Sequence, residues 1–455
     1  MPLTIAAGSI HPLVAILLLG ASVLSLLLVL QAGHTIYLMI YTWDRPELYR
    51  KAQVPARFRP PQKSFSVILP ARHEEDVIQT TIDRVIRANY PLALLEVVVV
   101  CSVDDTGTIS QAQKKIELLR HEGVNNVRVI AFSDQPINKP HGLNVGLCAT
   151  QFEVVTIFDA EDDIHPDIFN VVNTLMLDEQ IQVIQCGVQL MNYQTNWYST
   201  LNVLEYFFWF KSRLHYHAKK RAVTLGGNTV FFTRAVLLRV GGWDEHNLTE
   251  DADIGIRISC LGEPMRVVYD DRYVTREETP PTLGHFIRQR TRWDQGFLQT
   301  LLKGEWKRLP TRRQRWLACY TLAFPGAQAF LGLYVFAALI MMVTVKVPTG
   351  IAMFLNLPFY LLIAHFFLSV IGLYEFTHAH GLKPTFKTLV VMTLSYLPYQ
   401  WVLSYAAVRA TLRHLRGINN WEKTKHVGAH RQTLPSTNNS SLVSPLDQSH
   451  LHVER

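Results

Sequence analysis

Four carboxylates within five residues, Asp159-Ala-Glu-Asp-Asp163, are the clearest candidate for a reactive site in this chain. They follow an almost fully apolar run of residues. Such hard oxygen ligands suit Mg²⁺ or Mn²⁺ bound jointly with a diphosphate group. The alternative is a solvated acidic turn, but four like charges repel one another when no cation is present. We therefore predict a metal site formed by Asp159 together with Glu161 or Asp162.

A second acidic motif, Thr249-Glu-Asp251, opens a predicted helix. Threonine is a common N-cap residue and acids are favourable in the first helical turn, so capping alone would explain these residues. Downstream of a metal site, however, a carboxylate at this position is suited to take a proton from an acceptor hydroxyl. We predict Asp251 as the general base, with Glu250 beside it in the catalytic site.

A third motif, Gln289-Arg-Thr-Arg-Trp293, lies within a helical pattern. Gln289, Arg292 and Trp293 are spaced i, i+3 and i+4, which places them on one helix face. An arginine can bind a diphosphate bidentately, and an indole offers a flat apolar surface to a sugar ring. We assign Arg292 to catalysis, Arg290 to the nucleotide sugar, and Gln289 and Trp293 to the acceptor. The alternative is a basic amphipathic helix lying on lipid.

Further polar residues follow predicted strands or open helices. Glu74 could accept hydrogen bonds from a uracil N–H or a ribose hydroxyl, although acids also favour a helix start. Asp104 and Asp105 end the second strand, where acidic turns are common. Lys139 opens a helix whose N–H groups could meet phosphate, or it is simply solvated.

The elements that must hold these residues alternate between strands and helices from Ser64 to about Lys303. Four short, β-branched apolar runs are typical of strands buried on both faces of a parallel sheet. They are Ser66–Leu69, Glu96–Val100, Val127–Ala131 and Val154–Phe158. Helical patterns separate them, giving βαβ units of an α/β fold. Ligands of such sheets bind beyond the carboxyl ends of the strands, where three of the candidate clusters fall.

The composition of the chain indicates that it lies at a membrane. The chain has 455 residues, 48% of them hydrophobic, and a net charge of +7. The basic residues accompany apolar spans, which fits contact with anionic lipid better than nucleic-acid binding. The five cysteines are scattered and read as reduced residues of a domain facing the cytosol. We expect a plasma-membrane protein with several spans.

The predicted organisation has seven parts. They are an N-terminal transmembrane helix (1–43), a cytosolic linker (44–63), the α/β domain (64–303), an amphipathic interfacial segment (304–323), a C-terminal region of about three spans (324–413), a basic cytosolic segment (414–431) and a disordered tail (432–455). Four spans would put the C-terminus outside, whereas basic residues from Arg409 onward favour the inside. Either one segment is re-entrant or the last span is two short legs around Pro398.

On these motifs the chain resembles the glycosyltransferase family 2 enzymes with the GT-A fold, in the cellulose, hyaluronan and chitin synthase-like branch. The resemblance covers about Ser64 to Gln299. The family's P-x-x-N-E strand end corresponds to Pro70-Ala-Arg-His-Glu74, with His73 in place of the usual asparagine. Its Asp-Asp, Lys/Asn, D-x-D, T/S-E-D and Q-x-x-R-W motifs correspond to Asp104-Asp105, Lys139 and Asn144, Asp159 with Glu161, Thr249–Asp251 and Gln289–Trp293. The segment Trp421–Lys425 resembles the gating segments of such synthases only loosely.

The resemblance implies an inverting, metal-dependent transfer from a UDP-sugar to a growing β-linked polysaccharide. Asp251 would deprotonate the acceptor, and Mg²⁺ or Mn²⁺ with Arg292 would stabilise the departing diphosphate. A non-processive transferase acting on a lipid is the alternative, and the spans are too few to establish export without a partner. A transporter or receptor with a nucleotide-sensing domain would need buried charges along its spans, and the C-terminal spans contain few.

Overall fold

The computed structural model describes residues 3–4, 12–346 and 349–422. The strands are β1 (Leu3–Thr4), β2 (Phe65–Pro70), β3 (Leu95–Ser102), β4 (Val127–Phe132), β5 (Val154–Ile157), β6 (Val183–Cys186), β7 (Val188–Leu190), β8 (Val230–Thr233), β9 (Met265–Val268), β10 (Thr275–Glu277) and β11 (Val345–Lys346). The helices of the α/β part are α1 (Pro12–Ile40), α2 (Pro46–Ala52), α3 (Ile78–Ile86), α4 (Thr106–His121), α5 (Lys139–Ala149), α6 (Ile168–Glu179), α7 (Ser199–Phe208), α8 (Leu214–Lys220), α9 (Arg234–Val240), α10 (Glu250–Cys260) and α11 (Leu283–Lys303). The later helices are α12 (Arg312–Thr344), α13 (Thr349–Leu355), α14 (Leu357–Ala379) and α15 (Phe386–Leu415).

A seven-stranded sheet forms the centre of the α/β domain, in the order β4-β3-β2-β5-β8-β6-β9. Strand β8 is antiparallel to its neighbours β5 and β6, and the other pairs are parallel. The four predicted strands are confirmed as β2 to β5. Their continuous apolarity has a direct cause, because Val97 packs into the core on one face of the sheet and Val98 into the core on the other.

The sheet brings the candidate motifs to one edge. Strand β2 pairs in parallel with both β3 and β5, with Ile68 opposite Val98 and Ile157. The segments that follow these three strands therefore emerge on the same side. A small parallel pair, β7 with β10, lies beside them, and a bridge between Asp163 and Arg276 ties the acidic loop to β10.

Three helices are long and apolar enough to cross a membrane: Leu18–Ile40, Arg312–Ala338 and Leu357–Ala379. The predicted interfacial segment 304–323 is not a separate helix. A 3₁₀ turn at Glu305–Arg308 is followed by α12, which runs through Pro325 without ending. The exposed Trp316 lies near the start of this helix, where an interfacial side chain is expected.

The remaining predicted spans also differ from the observed helices. The second C-terminal span is divided into α13 and α14 at Asn356, ahead of Pro358. The third coincides with α15, which contains Pro398, but it lacks the sustained apolarity of the other three. The linker 44–63 includes the short helix α2. The tail 432–455 and residues 423–431 of the basic segment lie outside the described residues.

Contacts at the helix ends give the direction of each apolar helix. Ser25 of α1 donates to the Phe354 carbonyl ahead of α14, and Trp43 after α1 donates to Glu375 near the end of α14. Helices α1 and α14 therefore run in the same direction, and the end of α14 returns to the α/β domain, where Glu375 also pairs with Lys211 at 3.3 Å.

Helix α15 contacts the catalytic domain at both of its ends. Near its start, Thr388 accepts a 2.8 Å hydrogen bond from Gln194, and near its end Arg413 donates to Gln295 of α11 at 3.1 Å. Between these points Tyr399 packs against Phe286 of α11, with ring centroids 5.5 Å apart. Helix α15 thus lies along α11 and starts and finishes on the side of the catalytic domain.

Candidate functional site

The turn after β2 has a backbone conformation that explains its departure from the resembled motif. His73 has a φ of 54°, a left-handed conformation that asparagine, aspartate and histidine tolerate better than other side chains. Its N–H donates to Asp105 Oδ2 at 2.6 Å, and the N–H of the buried Glu74 donates to Thr108 at 2.9 Å. A histidine can therefore replace asparagine here because the position selects for backbone conformation.

The two acids after β3 take different positions. Asp105 is buried and caps α4 by accepting from the Thr108 N–H, so it holds the turn that carries Glu74. Asp104 is half exposed and pairs with Arg72 at 3.3 Å, and this contact contributes to lowering the Asp104 pKa, after a hydrogen bond from Ser102. Glu74 lines the central cavity, whereas neither aspartate does.

Lys139 connects two of the predicted motifs. Its Nζ lies 2.6 Å from Asp159 Oδ1 and 3.8 Å from Glu250 Oε1, and it donates to the Gly227 carbonyl at 3.2 Å. Burial alone would lower the Lys139 pKa, but the two carboxylates raise it above its usual value. The side chain is therefore charged and lies inside the site, as its predicted role requires.

Asn144 lies outside the cavity, contrary to the expected contact with the diphosphate. Its Nδ2 donates to the Trp243 carbonyl at 2.9 Å and to Glu245 at 2.8 Å, while its Oδ1 accepts from the Trp243 N–H at 2.9 Å. All of these polar contacts are made to the chain itself. In this structure Asn144 therefore fixes the loop that precedes the Thr249–Asp251 turn.

The carboxylates of the acidic loop after β5 face in different directions. Asp159 and Glu161 line the cavity and can present oxygen ligands to a cation. Asp162 is fully buried and points elsewhere, because it accepts from the Asp159 N–H at 2.8 Å and from Asn228 at 2.9 and 3.0 Å. The donor set that faces the cavity is thus Asp159 with Glu161, which fits a hard divalent cation.

Sequence reasoning missed Glu277, which lines the same part of the cavity at the end of β10. Asn228 donates to it and to Asp162, so the two acids share one amide. Burial, followed by the charges of Glu161 and Asp159, raises the pKa of Glu277 to about 8. Its position at the end of a short strand was the available signal, but the pairing of β10 with β7 could not be read from the sequence pattern.

The Thr249–Asp251 turn does not behave as a simple cap. The Thr249 side chain makes no capping hydrogen bond to α10, although the sequence alone allowed that interpretation. Burial, offset by Lys139, raises the pKa of Glu250 to about 7, and burial also raises the pKa of Asp251. A Cβ on Gly227 would lie 3.3 Å from Asp251 Oδ2, so glycine leaves space beside the predicted base.

Helix α11 presents its motif to the cavity as predicted, but Arg290 is already paired. Gln289, Arg290, Arg292 and Trp293 all line the cavity. Arg290 forms an ion pair with Glu205 and stacks over the Trp293 ring at 4.7 Å, so it positions the indole. The Gln289 Oε1 and Arg292 Nε atoms are buried without a hydrogen-bond partner among the described residues.

Residues after α15 close over this helix, and they include the start of the segment that loosely resembles a gating segment. The Ile418 carbonyl accepts from Gln295 at 2.7 Å, and Arg292 lies over the Trp421 ring at 4.3 Å. Glu422 is held by Arg409 and Arg413 at 2.8 and 2.9 Å. The segment therefore joins the end of α15 to the cationic face of α11.

One cavity of about 980 Å³ joins Glu74, Lys139, Asp159, Asp251 and the side chains of α11 described above. Ligand pockets usually measure about 300–1,000 Å³, so there is room for a nucleotide sugar and part of an acceptor. The cavity continues past the catalytic residues between α1, α12, α14 and α15. Its lining there comprises Gln31, Thr35, Phe324, Gln328, Leu331, Leu361, Leu362, His365, Tyr396, Gln400 and Leu403.

The fold is that of the GT-A glycosyltransferases. A mannosyltransferase from Pyrobaculum calidifontis, PcManGT, solved in complex with GDP-Man and Mn²⁺, superposes with a TM-score of 0.51. The alignment covers 87% of this chain and 99% of that one at 20% identity. The family model described as "Glycosyltransferase like family 2" matches residues 60–296, more than half of the chain. This protein therefore belongs to that glycosyltransferase family.

Three curated relatives are similar to this chain, and the names of two of them state different products. The probable glycosyltransferase YdaM of Bacillus subtilis is 27% identical over 52% of this chain and 56% of that protein. The poly-β-1,6-N-acetyl-D-glucosamine synthase of Staphylococcus epidermidis is 22% identical over 79% of this chain and 86% of that protein. The β-monoglucosyldiacylglycerol synthase of a Nostoc species is 27% identical over 52% of this chain and 49% of that protein. The chain thus spans about half the length of the first and third.

The two candidates for the second metal ligand can be separated by mutation. We expect Glu161→Ala to weaken Mn²⁺ binding in the presence of UDP at least tenfold with little change in Tm. Asp162→Ala should instead lower the free energy of unfolding by about 1–3 kcal/mol, because it leaves buried N–H donors unsatisfied. Titration of Mn²⁺ and thermal unfolding of the purified protein measure both, with the exposed Asp178→Ala as control. The reverse pattern would make Asp162 the ligand.

Gly296 allows α11 to approach the predicted base. A Cβ at this position would lie 2.4 Å from Thr249 Oγ1 and 2.5 Å from Thr249 N, too close to fit without movement of the backbone. We expect Gly296→Ala to cost about 1–3 kcal/mol of stability and to lower turnover at least tenfold. Gly284→Ala is the matched control, because a Cβ at this position of α11 would lie no closer than 3.9 Å to its nearest neighbour, Thr282 Oγ1. Equal activity of the two variants would show that this close approach is unimportant.

Proposed function

We propose that this protein transfers a hexosyl group from a UDP-sugar to the growing end of a β-linked polysaccharide, with inversion at the anomeric carbon. The observation that carries the proposal is the continuous cavity, which is lined by Asp159, Asp251 and Arg292 and also by the apolar helices. A donor at the sheet edge and an acceptor reaching the site from between those helices would meet beside Asp251. The match to the Staphylococcus synthase, which extends beyond the catalytic domain, supports the same acceptor class.

In the proposed mechanism Asp251 accepts the proton of the acceptor hydroxyl while that oxygen attacks the anomeric carbon. The Lys139 ammonium and the Arg292 guanidinium stabilise the charge that develops on the departing diphosphate. A divalent cation bound by Asp159 and Glu161 would supply further positive charge to the same diphosphate. Trp293, held by Arg290, offers its ring to the acceptor sugar, and Glu74 lies where the nucleoside would bind.

A lipid acceptor is the second candidate. The cavity between the apolar helices contains Leu331, Leu361 and Leu362, which could pack against acyl chains. The similarity to the Nostoc glucosyldiacylglycerol synthase favours this acceptor, although that match covers 52% of the chain. The product separates the two candidates, because a lipid acceptor gives a single-sugar lipid and a polysaccharide acceptor gives a polymer.

The activity is tested by incubating the full chain in membranes with radiolabelled UDP-glucose, UDP-N-acetylglucosamine or GDP-mannose and analysing product length. We expect polymer from one UDP-sugar and a loss of about 10²–10⁴-fold in turnover for Asp251→Asn, because a positioned base contributes that much. Binding of the UDP-sugar should change little, since the base acts in the transition state. Near wild-type turnover by Asp251→Asn would exclude it as the base.

The same assay reports the ionisation of the base. Asp251 must be ionised to accept a proton, and burial raises its pKa, so activity should be lost as the pH falls through that raised value. The acid limb of kcat/KM should therefore lie above the range of an ordinary aspartate, whose pKa is about 4. An acid limb at or below pH 4 would contradict this assignment of the base.

We also propose that α1, α12 and α14 cross the plasma membrane, with the catalytic domain and the end of α15 both in the cytosol. Helix α12 would lead away from the catalytic domain, α14 would return, and α15 would lie along the interface. This arrangement removes the conflict of the four-span count, because Arg409, Arg413 and Arg416 then lie on the cytosolic side.

Alkaline phosphatase fusions, active only outside the cytosol, test this topology. We expect activity for a fusion after Leu355, between α12 and α14, and none for fusions after Gln53 or after Arg455. The fusion after Gln53, which precedes the catalytic domain, controls for expression. Phosphatase activity at the C-terminus would mean that α15 crosses the membrane as a fourth span.

A further inference from the structure

Four charged side chains surround the cavity at the point where the catalytic domain meets the apolar helices. They are Glu205 at the end of α7, Arg213 in the π-helical turn Trp209–Arg213, and Arg290 and Asp294 on α11. We call this group the neck. Arg213 and Asp294 have no role in any motif of the sequence, yet both line the cavity.

The neck is only partly paired. Glu205 and Arg290 form an ion pair, which also holds Arg290 against the Trp293 ring. Among the described residues, neither Arg213 nor Asp294 has an oppositely charged group within 4 Å, and neither side chain forms a hydrogen bond. The Arg213 Nε is buried without an acceptor. The Arg213 guanidinium and the Asp294 carboxyl group thus face the cavity and can form further hydrogen bonds there.

Burying such polar groups in a closed site costs free energy unless a ligand forms hydrogen bonds with them. A buried polar atom without a partner costs about 1–3 kcal/mol, so native structures rarely leave one unsatisfied. The neck contains two acids and two arginines and therefore has no marked excess of one charge. A neutral ligand with many hydroxyl groups suits it, because each hydroxyl can donate to a carboxyl group and accept from a guanidinium.

We propose that Arg213 and Asp294 bind the hydroxyl groups of an acceptor sugar unit that lies against Trp293. This subsite deepens the proposed function and rests on it, since it makes the acceptor a saccharide chain. The chain would extend from Asp251 through the neck toward the apolar helices. Arg213 acts as a donor to these hydroxyl groups, and Asp294, one residue beyond Trp293, as a second hydrogen-bonding partner.

The ionisation of Asp294 is compatible with this role. Burial, opposed by the charge of Arg290, raises the pKa of Asp294 to about 8. Near neutral pH its carboxyl group can therefore donate as well as accept a hydrogen bond, and a sugar ring uses both capacities. A lipid phosphate would have one unpaired guanidinium to bind, because Arg290 is occupied, and it would lie near Glu205. The neck thus fits a sugar better than a phosphate.

The test measures acceptor use separately from donor use. The full chain in lipid nanodiscs is given its UDP-sugar and β-linked trisaccharides of glucose or N-acetylglucosamine as acceptor probes. We expect Asp294→Leu and Arg213→Met each to raise the acceptor KM about 10–100-fold. The KM for the UDP-sugar and the rate of its hydrolysis without acceptor should stay within about threefold. Asp294→Asn, which can still donate and accept, should stay within about fivefold of wild type for the acceptor KM.

Two control variants separate an effect at the neck from the general effect of removing a charge. Asp178→Leu and Arg308→Met remove charges at exposed positions outside the cavity and should change neither KM. If Asp294→Leu does not fold, Asp294→Ser serves in its place, and preserved UDP-sugar hydrolysis verifies the folded state. Unchanged acceptor KM in folded variants of both residues would overturn the subsite while leaving the proposed function intact.

Two further outcomes would also count against the subsite. If Arg213→Met weakened only the use of a polyprenyl phosphate acceptor, and Asp294→Leu did not, the neck would bind phosphate. If wild-type protein transferred no sugar to any saccharide from any nucleotide sugar, the proposed function and the subsite would both fail. The first outcome changes only the ligand of the neck, whereas the second removes the acceptor class itself.

Discussion

The position of one buried ammonium group organises the candidate active site. Lys139 Nζ lies between Asp159 of the acidic loop and Glu250 of the base turn, and it is also bonded to the Gly227 carbonyl. These acids come from segments far apart in the chain, and their mutual repulsion would otherwise open the site. A lysine at the start of α5 can hold both because α5 packs on the same sheet edge, where Gly146 lies against Ile68 and Val100. The acidic loop after β5 and the Thr249–Asp251 turn are therefore held together by one buried positive charge.

Much of this arrangement follows from local sequence. Strands β2 to β5 are continuous apolar runs because both of their faces are buried, and parallel pairing then brings Glu74, Asp105 and Asp159 to one edge. Spacing on α11 likewise predicted that Gln289, Arg292 and Trp293 share a face. These inferences succeed because they need only the strand and helix periods and the rule that connects strand ends to ligand sites.

The residues whose contacts the sequence did not predict have one feature in common. Their interaction partners are distant in the sequence. Asn144 looked like a ligand residue, but its amide is used by the Trp243 backbone. The sequence does not distinguish Asp162 from Glu161 as the second metal ligand. In the structure Asp162 accepts a hydrogen bond from Asn228. Glu277 had no motif and Trp421 only a loose resemblance to a gating segment, since each reaches the site through pairing or packing of an unrelated element. A single sequence carries no information on which of two adjacent polar groups is already satisfied.

The course of α15 links the catalytic helix to the membrane region. Because α15 lies along α11, residues that follow it, including Trp421, reach Arg292, while its middle lines the cavity with Tyr396, Tyr399 and Gln400. A shift of α15 would move the residues that cover Arg292 and the wall of the cavity between the apolar helices together. Interfaces packed this closely, as where Gly332 meets Ser404, change between discrete arrangements more readily than they deform continuously. Helix α15 is therefore the element that connects the cavity wall between the apolar helices to the surroundings of Arg292 on α11.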